Sequence, residues 1–179
     1  TVPAIVEQCG RSGIKNVIVI TAGFAEAGHS GAALERKMLE IARSYNVRVL
    51  GPNCLGLIRP TLGLNATFAK VTANAGNLAL VSQSGAMCSA VLDWAKANGV
   101  GFSTVISLGG TADVDFGEIL DYLIYDSRTH YILLYVEGIR NARRFMSALR
   151  SAARIKPIIL LKAGRHAAGS LAVQTHSGM

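Results

Sequence analysis

The chain has 179 residues, 50% hydrophobic and 16% charged, which excludes a disordered segment and provides for one large domain or two small ones. The formal net charge of +7 suits an anionic partner, either nucleic acid or a phosphate-rich cofactor. Apolar runs such as "YILLYV" are too short to cross a bilayer, and the 3 scattered cysteines, without CxxC spacing, point to a reducing, cytoplasmic setting.

In chain order, "VPAIVEQCGRSG" carries a helical pattern ended by Gly13, and "NVIVIT" (16–21) follows as a strand. "GAALERKMLEIARSYN" sets Leu34, Met38, Ile41 and Tyr45 on one helical stripe, and the strand "VRVLG" (47–51) comes next. Residues 52–76 hold prolines and glycines with no sustained period and read as a linker with a short ordered loop. The alternation then restarts: strand "LALVS", helix "AMCSAVLDWAKANG", strand "FSTVISLGG", helix "FGEILDYLIYD", strand "YILLYVEG", an arginine-rich helix and strand "PIILLKAG".

Near-continuous apolar strands separated by helices predict a parallel sheet covered on both faces. Right-handed crossovers make it a doubly wound α/β fold. Residues 76–179 come close to a flavodoxin-like unit, whereas residues 1–51 offer too few strands to bury two faces and are expected to be truncated on their N-terminal side. In the arginine-rich helix, at about 100° per residue, Arg140, Arg143, Arg150 and Arg154 share one face and Phe145, Leu149 and Ala152 the other. A solvated face is the expected role of those arginines. Aromatic residues make up 6% and none interleaves with the basic cluster, so no stacking platform for nucleic acid is expected.

Ligands of open parallel sheets collect at the carboxyl ends of the strands. After "LALV" come Ser82, Gln83, Ser84 and Gly85, opening a helix toward Ala86. Hydroxyls and a glycine at a helix N-terminus make either an anion cradle or a plain N-cap on Ser84, and the two readings are evenly balanced. After "STVIS", Gly109 and Gly110 let the backbone approach a ligand, while Asp113 and Asp115 are candidates to cap the next helix. Glu137 ends the strand "YILLYV", and His176 lies in the small-residue stretch after "PIILLKAG". A histidine, a carboxylate and an anion cradle at one sheet edge suit phosphoryl transfer through the imidazole, with Glu137 fixing its tautomer. The G-x-S-x-G elbow is not matched because position 82 is serine; Walker A, G-x-G-x-x-G and a metal-ligand cluster are not found either.

The segments "GPNCLGLI", "LALVSQSGAM", "KPIILLKAGRHAAGS" and "THSGM" together resemble the α-type portion of nucleoside-diphosphate-forming acyl-CoA synthetases, the superfamily of succinyl-CoA synthetase. By that resemblance, residues 1–72 are the C-terminal part of a Rossmann-like CoA-binding domain, with Gly51, Pro52, Asn53 and Cys54 lining the CoA and acyl pocket beside Gly109 and Gly110. Residues 76–179 resemble the succinyl-CoA-ligase domain, in which His176 matches the phosphorylated histidine and Glu137 its carboxylate partner. Ser82, Ser84, Gly85 and Ala86 match the phosphate-holding turn and helix start. The implied partners are a CoA thioester, inorganic phosphate, and an ATP-grasp domain or subunit that supplies ADP or ATP with Mg2+, in an oligomer, without membrane or nucleic acid. The chain alone is expected to be inactive. The alternative is a regulatory, acetyl-CoA-sensing region of a lysine acetyltransferase with a fused GNAT domain, which the wording of "ILLYVEGIRNARRFMSALRSAARIKPIILLKAGR" also resembles.

Overall fold

In the computed structural model, which describes residues 1–70 and 72–164, the apolar runs become strands of two sheets. The first is small: β1 (Asn16–Ile18) pairs in parallel with β2 (Arg48–Leu50), flanked by α1 (Val2–Arg11) and α2 (His29–Ser44). Its core gathers Val6, Phe24, Met38, Ala42, Val47 and Val49. The stripe of α2 differs from the expected one. Gly31, Glu35, Met38 and Ala42 are its buried residues, and Leu34, Ile41 and Tyr45 only pack against the edge. A charged residue on the inner face hides the true stripe from a hydrophobicity pattern.

The second sheet has six strands in the order β4-β3-β6-β5-β7-β8. Strands β5 (Ala75–Ser82), β6 (Phe102–Ser107), β7 (Tyr131–Val136) and β8 (Ile158–Lys162) are parallel, as the continuous apolar runs predicted. The segment expected to be a linker is instead an antiparallel hairpin, β3 (Gly56–Arg59) and β4 (Leu64–Thr67), and β3 pairs antiparallel with β6. The sheet is therefore mixed at one edge. Each hairpin strand has 4 residues, too few to display a period. The two strands approach so closely that a Cβ on Gly56 would lie 2.1 Å from the Ala66 carbonyl oxygen.

Helices cover both faces of this sheet. On one, α3 (Gly85–Ala97) buries Cys88, Leu92 and Ala95 against Leu80, Phe102, Val105 and the hairpin's Ile58. On the other, α4 (Phe116–Tyr125) and α5 (Ala142–Ala153) bury Leu120, Leu123, Phe145 and Ala152 against Ala79, Val81, Ile132 and Leu134. Successive β5 residues thus serve opposite cores, as strand alternation requires. Phe116 and Phe145 meet edge to face at 5.9 Å between ring centroids. Arg143, Arg150 and Arg154 lie on the outer side of α5 or just past its end, the solvated face expected of them, whereas Arg140 precedes the helix and pairs with the buried Glu35. Arg144 pairs with Glu118 at 3.5 Å.

The two acids after β6 divide their work. Asp115 caps α4, its Oδ1 accepting the Glu118 N–H at 3.0 Å. Asp113 holds the first sheet: its Oδ2 accepts from Arg48 Nε at 2.9 Å and from the Val49 N–H at 2.8 Å. That contact joins the segment following β6 to β2 across 64 residues of chain.

Candidate functional site

In the parallel part of the sheet, β5 lies between β6 and β7; the chain leaves the carboxyl end of β5 toward β6 and that of β7 toward β8, so the two connections turn to opposite sides. The crevice at such a switch point, beyond the carboxyl ends of β5 and β7, is where α/β sheets collect ligands. Ser82 through Ser84 and Glu137 stand there.

Ser84 is the N-cap of α3, its Oγ accepting the Met87 N–H at 3.2 Å. Ser82 is buried; its hydroxyl accepts the Ser84 N–H at 3.0 Å and donates to the Ser84 carbonyl at 2.8 Å. Ser82 therefore shapes the turn from inside. The first backbone bond of the helix runs from the Cys88 N–H to the Ser84 carbonyl at 3.1 Å. The N–H groups of Gly85 and Ala86 remain without a partner among the described residues, at the positive end of the helix dipole. Capping and anion binding are thus compatible here, because they use different N–H groups.

The segment Gly51 to Leu55 crosses between the two sheets. Gly51 has φ +101°, and a Cβ there would lie 2.4 Å from the Val19 carbonyl oxygen, so the close approach requires glycine. The Asn53 N–H donates to the Thr21 carbonyl at 3.0 Å, and the Leu55 N–H donates to Ser107 Oγ at 2.9 Å. Across from it, the Gly110 N–H donates to the Pro52 carbonyl at 2.8 Å. Burial pushes the Cys54 thiol up to about 11, and its Sγ donates to the Val19 carbonyl at 3.4 Å. A buried, protonated thiol is a packing group and not a nucleophile.

Two adjoining cavities open at this crevice. One, of about 320 Å³, is lined by Asn53, Cys54, Gln83, Ser84, Gly85, Ala86 and Glu137, with Ile20, Leu55 and Phe68 on its apolar side. The other, of about 280 Å³, is lined by Asn53, Gln83, Gly109, Gly110, Glu137 and Arg140, with Glu26 and Glu35 beside them. Of the residues singled out in the sequence, Ser82, Gly51 and Pro52 support the lining from behind, and His176 lies outside the described residues.

The structure adds three residues that the sequence pattern passed over. Gln83 borders both cavities. Glu35 is 5% exposed; its Oε1 accepts from Arg140 Nη1 at 2.9 Å, and Oε2 has no partner among the described residues. Phe68, which follows β4, is largely exposed at the rim. Only Gln83 carried a signal, its place between the two serines of "SQSG".

A switch-point crevice with a free helix N-terminus, a glycine turn and a carboxylate defines an α/β protein of the open-sheet, ligand-crevice class. The comparisons narrow that class. A family described as succinyl-CoA ligase like flavodoxin domain matches residues 75–179, and one described as CoA binding domain matches residues 1–60. The chain belongs to the succinyl-CoA ligase-like family. It is 48% identical over 177 residues to acetate–CoA ligase [ADP-forming] I of Archaeoglobus fulgidus, covering 99% of this chain and 26% of that protein. It is 41% identical over 177 residues to the α subunit of acetate–CoA ligase [ADP-forming] I of Pyrococcus furiosus, covering 99% of this chain and 38% of that subunit. The dinucleotide-forming acetyl-coenzyme A synthetase 1 of Candidatus Korarchaeum cryptofilum, solved in complex with phosphate and ADP, superposes with a TM-score of 0.90 at 38% identity. That match covers 98% of this chain and 38% of the other. The chain thus spans well under half the length of these relatives.

Proposed function

We propose that the chain is the CoA-binding and phosphoryl-handling part of an ADP-forming acyl-CoA synthetase. The observation that carries this reading is the facing of the α3 N-terminus and Glu137 across one cavity whose third side is the Gly51–Leu55 segment. Residues 1–72 serve the CoA side and residues 76–179 the phosphoryl side. The names of its relatives, ADP-forming CoA ligases, support the catalytic reading over the regulatory one.

Inorganic phosphate rests on the N–H groups of Gly85 and Ala86. Its oxygen attacks the thioester carbonyl carbon, the carbon–sulfur bond breaks, and CoA leaves as thiolate, giving acyl phosphate. The His176 imidazole then attacks the phosphorus and the carboxylate leaves. Glu137 holds the other ring nitrogen protonated and stabilises the developing positive charge. The phosphoryl group passes to ADP, which enters with Mg2+ on an ATP-grasp part in a cytoplasmic oligomer.

The test uses the full-length protein with acyl-CoA and radiolabelled phosphate. The expected result is an acid-labile, base-stable label on the peptide containing His176, slowed in Glu137→Gln and abolished in His176→Ala. A label that survives His176→Ala removes this histidine from the reaction. No label in a wild type that still binds CoA moves the protein to the regulatory reading.

A further inference from the structure

Gln83 is the first residue after β5, and it is bound to the end of β7 by three hydrogen bonds. Its own N–H donates to the Tyr135 carbonyl at 3.1 Å. Its side-chain Oε1 accepts the Glu137 N–H at 2.6 Å and the Gly138 N–H at 2.9 Å. The side chain therefore spans the switch point and fixes the backbone that carries Glu137.

These two bonds also settle which way the carboxamide is turned. With the amide reversed, its NH2 would face two backbone N–H donors, an arrangement of donors against donors. The oxygen is held on the β7 side, which leaves Nε2 as the free polar atom of a residue bordering both cavities. Nε2 has no hydrogen-bond partner among the described residues. A fixed donor on a residue that lines the same cavity as Gly85 and Ala86 is suited to an oxyanion, and it is already oriented when the ligand arrives.

Building on the reading given under Proposed function, we infer that Gln83 is a bifunctional residue of this site. Its carbonyl oxygen positions Glu137, and its NH2 binds an oxygen of the phosphoryl group, first in inorganic phosphate and then in acyl phosphate. The turn "SQSG" and the helix it opens then contribute two kinds of donor to one anion: backbone N–H groups and a side-chain amide.

The experiment titrates inorganic phosphate calorimetrically into the full-length wild type, Gln83→Glu and Gln83→Met, with phosphohistidine formation followed in parallel. Gln83→Glu keeps an acceptor for the two backbone N–H groups but has no N–H to offer and adds a negative charge. The expected outcome at neutral pH is phosphate affinity weakened roughly ten- to a hundredfold, the scale of one hydrogen bond to a charged group, with CoA affinity unchanged. As pH falls through about 4, the ordinary range of a glutamate carboxyl, the gap between wild type and Gln83→Glu should narrow, because the new carboxyl regains a proton it can donate. Gln83→Met, lacking both groups, should lose phosphate affinity at every pH and also slow phosphohistidine formation. A purely structural glutamine would not produce the pH-dependent recovery.

Phosphate affinity in Gln83→Glu within about threefold of wild type overturns the donor role, even if phosphohistidine forms normally. Wild-type rates of phosphohistidine formation in Gln83→Met overturn the positioning role. A wild type that binds no phosphate and forms no phosphohistidine overturns the functional reading, and this inference with it.

Discussion

Gly109 lies against Pro52: a Cβ added to Gly109 would stand 2.2 Å from the Pro52 carbonyl oxygen. The backbone there also has φ +57°, in the left-handed region. The turn after β6 and the Gly51–Leu55 segment can touch only because one of them lacks a side chain.

Gly109→Ala should therefore push the Asn53 backbone out of both cavities. The expected effect is a loss of stability of about 1–3 kcal/mol together with loss of phosphate and CoA binding. Gly63→Ala is the control. Gly63 sits at φ +64° with nothing within 4 Å of an added Cβ, so the substitution should cost about 1 kcal/mol and leave binding intact. Thermal melts and ligand titrations of the two variants distinguish steric displacement from backbone strain.

Ser84→Ala removes the acceptor for the Met87 N–H and should cost about 1 kcal/mol. Because the anion is assigned to Gly85 and Ala86, phosphate should still raise the melting temperature of this variant. Gly85→Val should lose that protection. Equal protection in wild type and Gly85→Val would place the anion elsewhere.

Arg59 and Asp126 join the hairpin to the end of α4, with nitrogen–oxygen distances of 3.1 and 3.2 Å and both side chains largely buried. Burial alone would raise the Asp126 carboxyl, but the Thr129 hydroxyl and the Arg59 charge outweigh it and hold it below its ordinary value. A depressed folded-state value means that the contribution to stability is complete above about pH 4, the unfolded value, and is lost as pH falls through the folded one. Asp126→Asn should destabilise the neutral-pH protein by about 3 kcal/mol, since Arg59 is left uncompensated. Melting curves across pH should show the gap between wild type and variant closing only below about pH 4.

The thiols should fall into two groups. Burial pushes Cys54 up to about 11 and Cys88 up to about 12, whereas Cys9 is only half-buried. A disulfide reagent at pH 8 should modify Cys9 first and reach the other two at the rate of unfolding. Fast modification of Cys54 would show that the Gly51–Leu55 segment opens in solution.

The alternation of short apolar runs and amphipathic segments was enough to place β1, β2, the four parallel strands and the five α-helices of the described residues. Each of these signals is local, a period or a cap within a dozen residues. The same was true of Asp115 as a cap and of the "SQSG" turn as a helix start. The hairpin β3–β4 was not legible, because its strands are shorter than a period and find their partners in each other and in β6. Glu35 fell outside the expected stripe of α2, because the guanidinium that permits its burial lies 105 residues away. Asp113 passed for a second cap candidate, since its bonds to Arg48 and Val49 exist only once β2 lies beside it. Gln83 was passed over because an uncharged amide has no assigned direction in sequence. Its direction is set by two N–H groups at the end of β7, which the parallel pairing of β5 with β7 brings within reach.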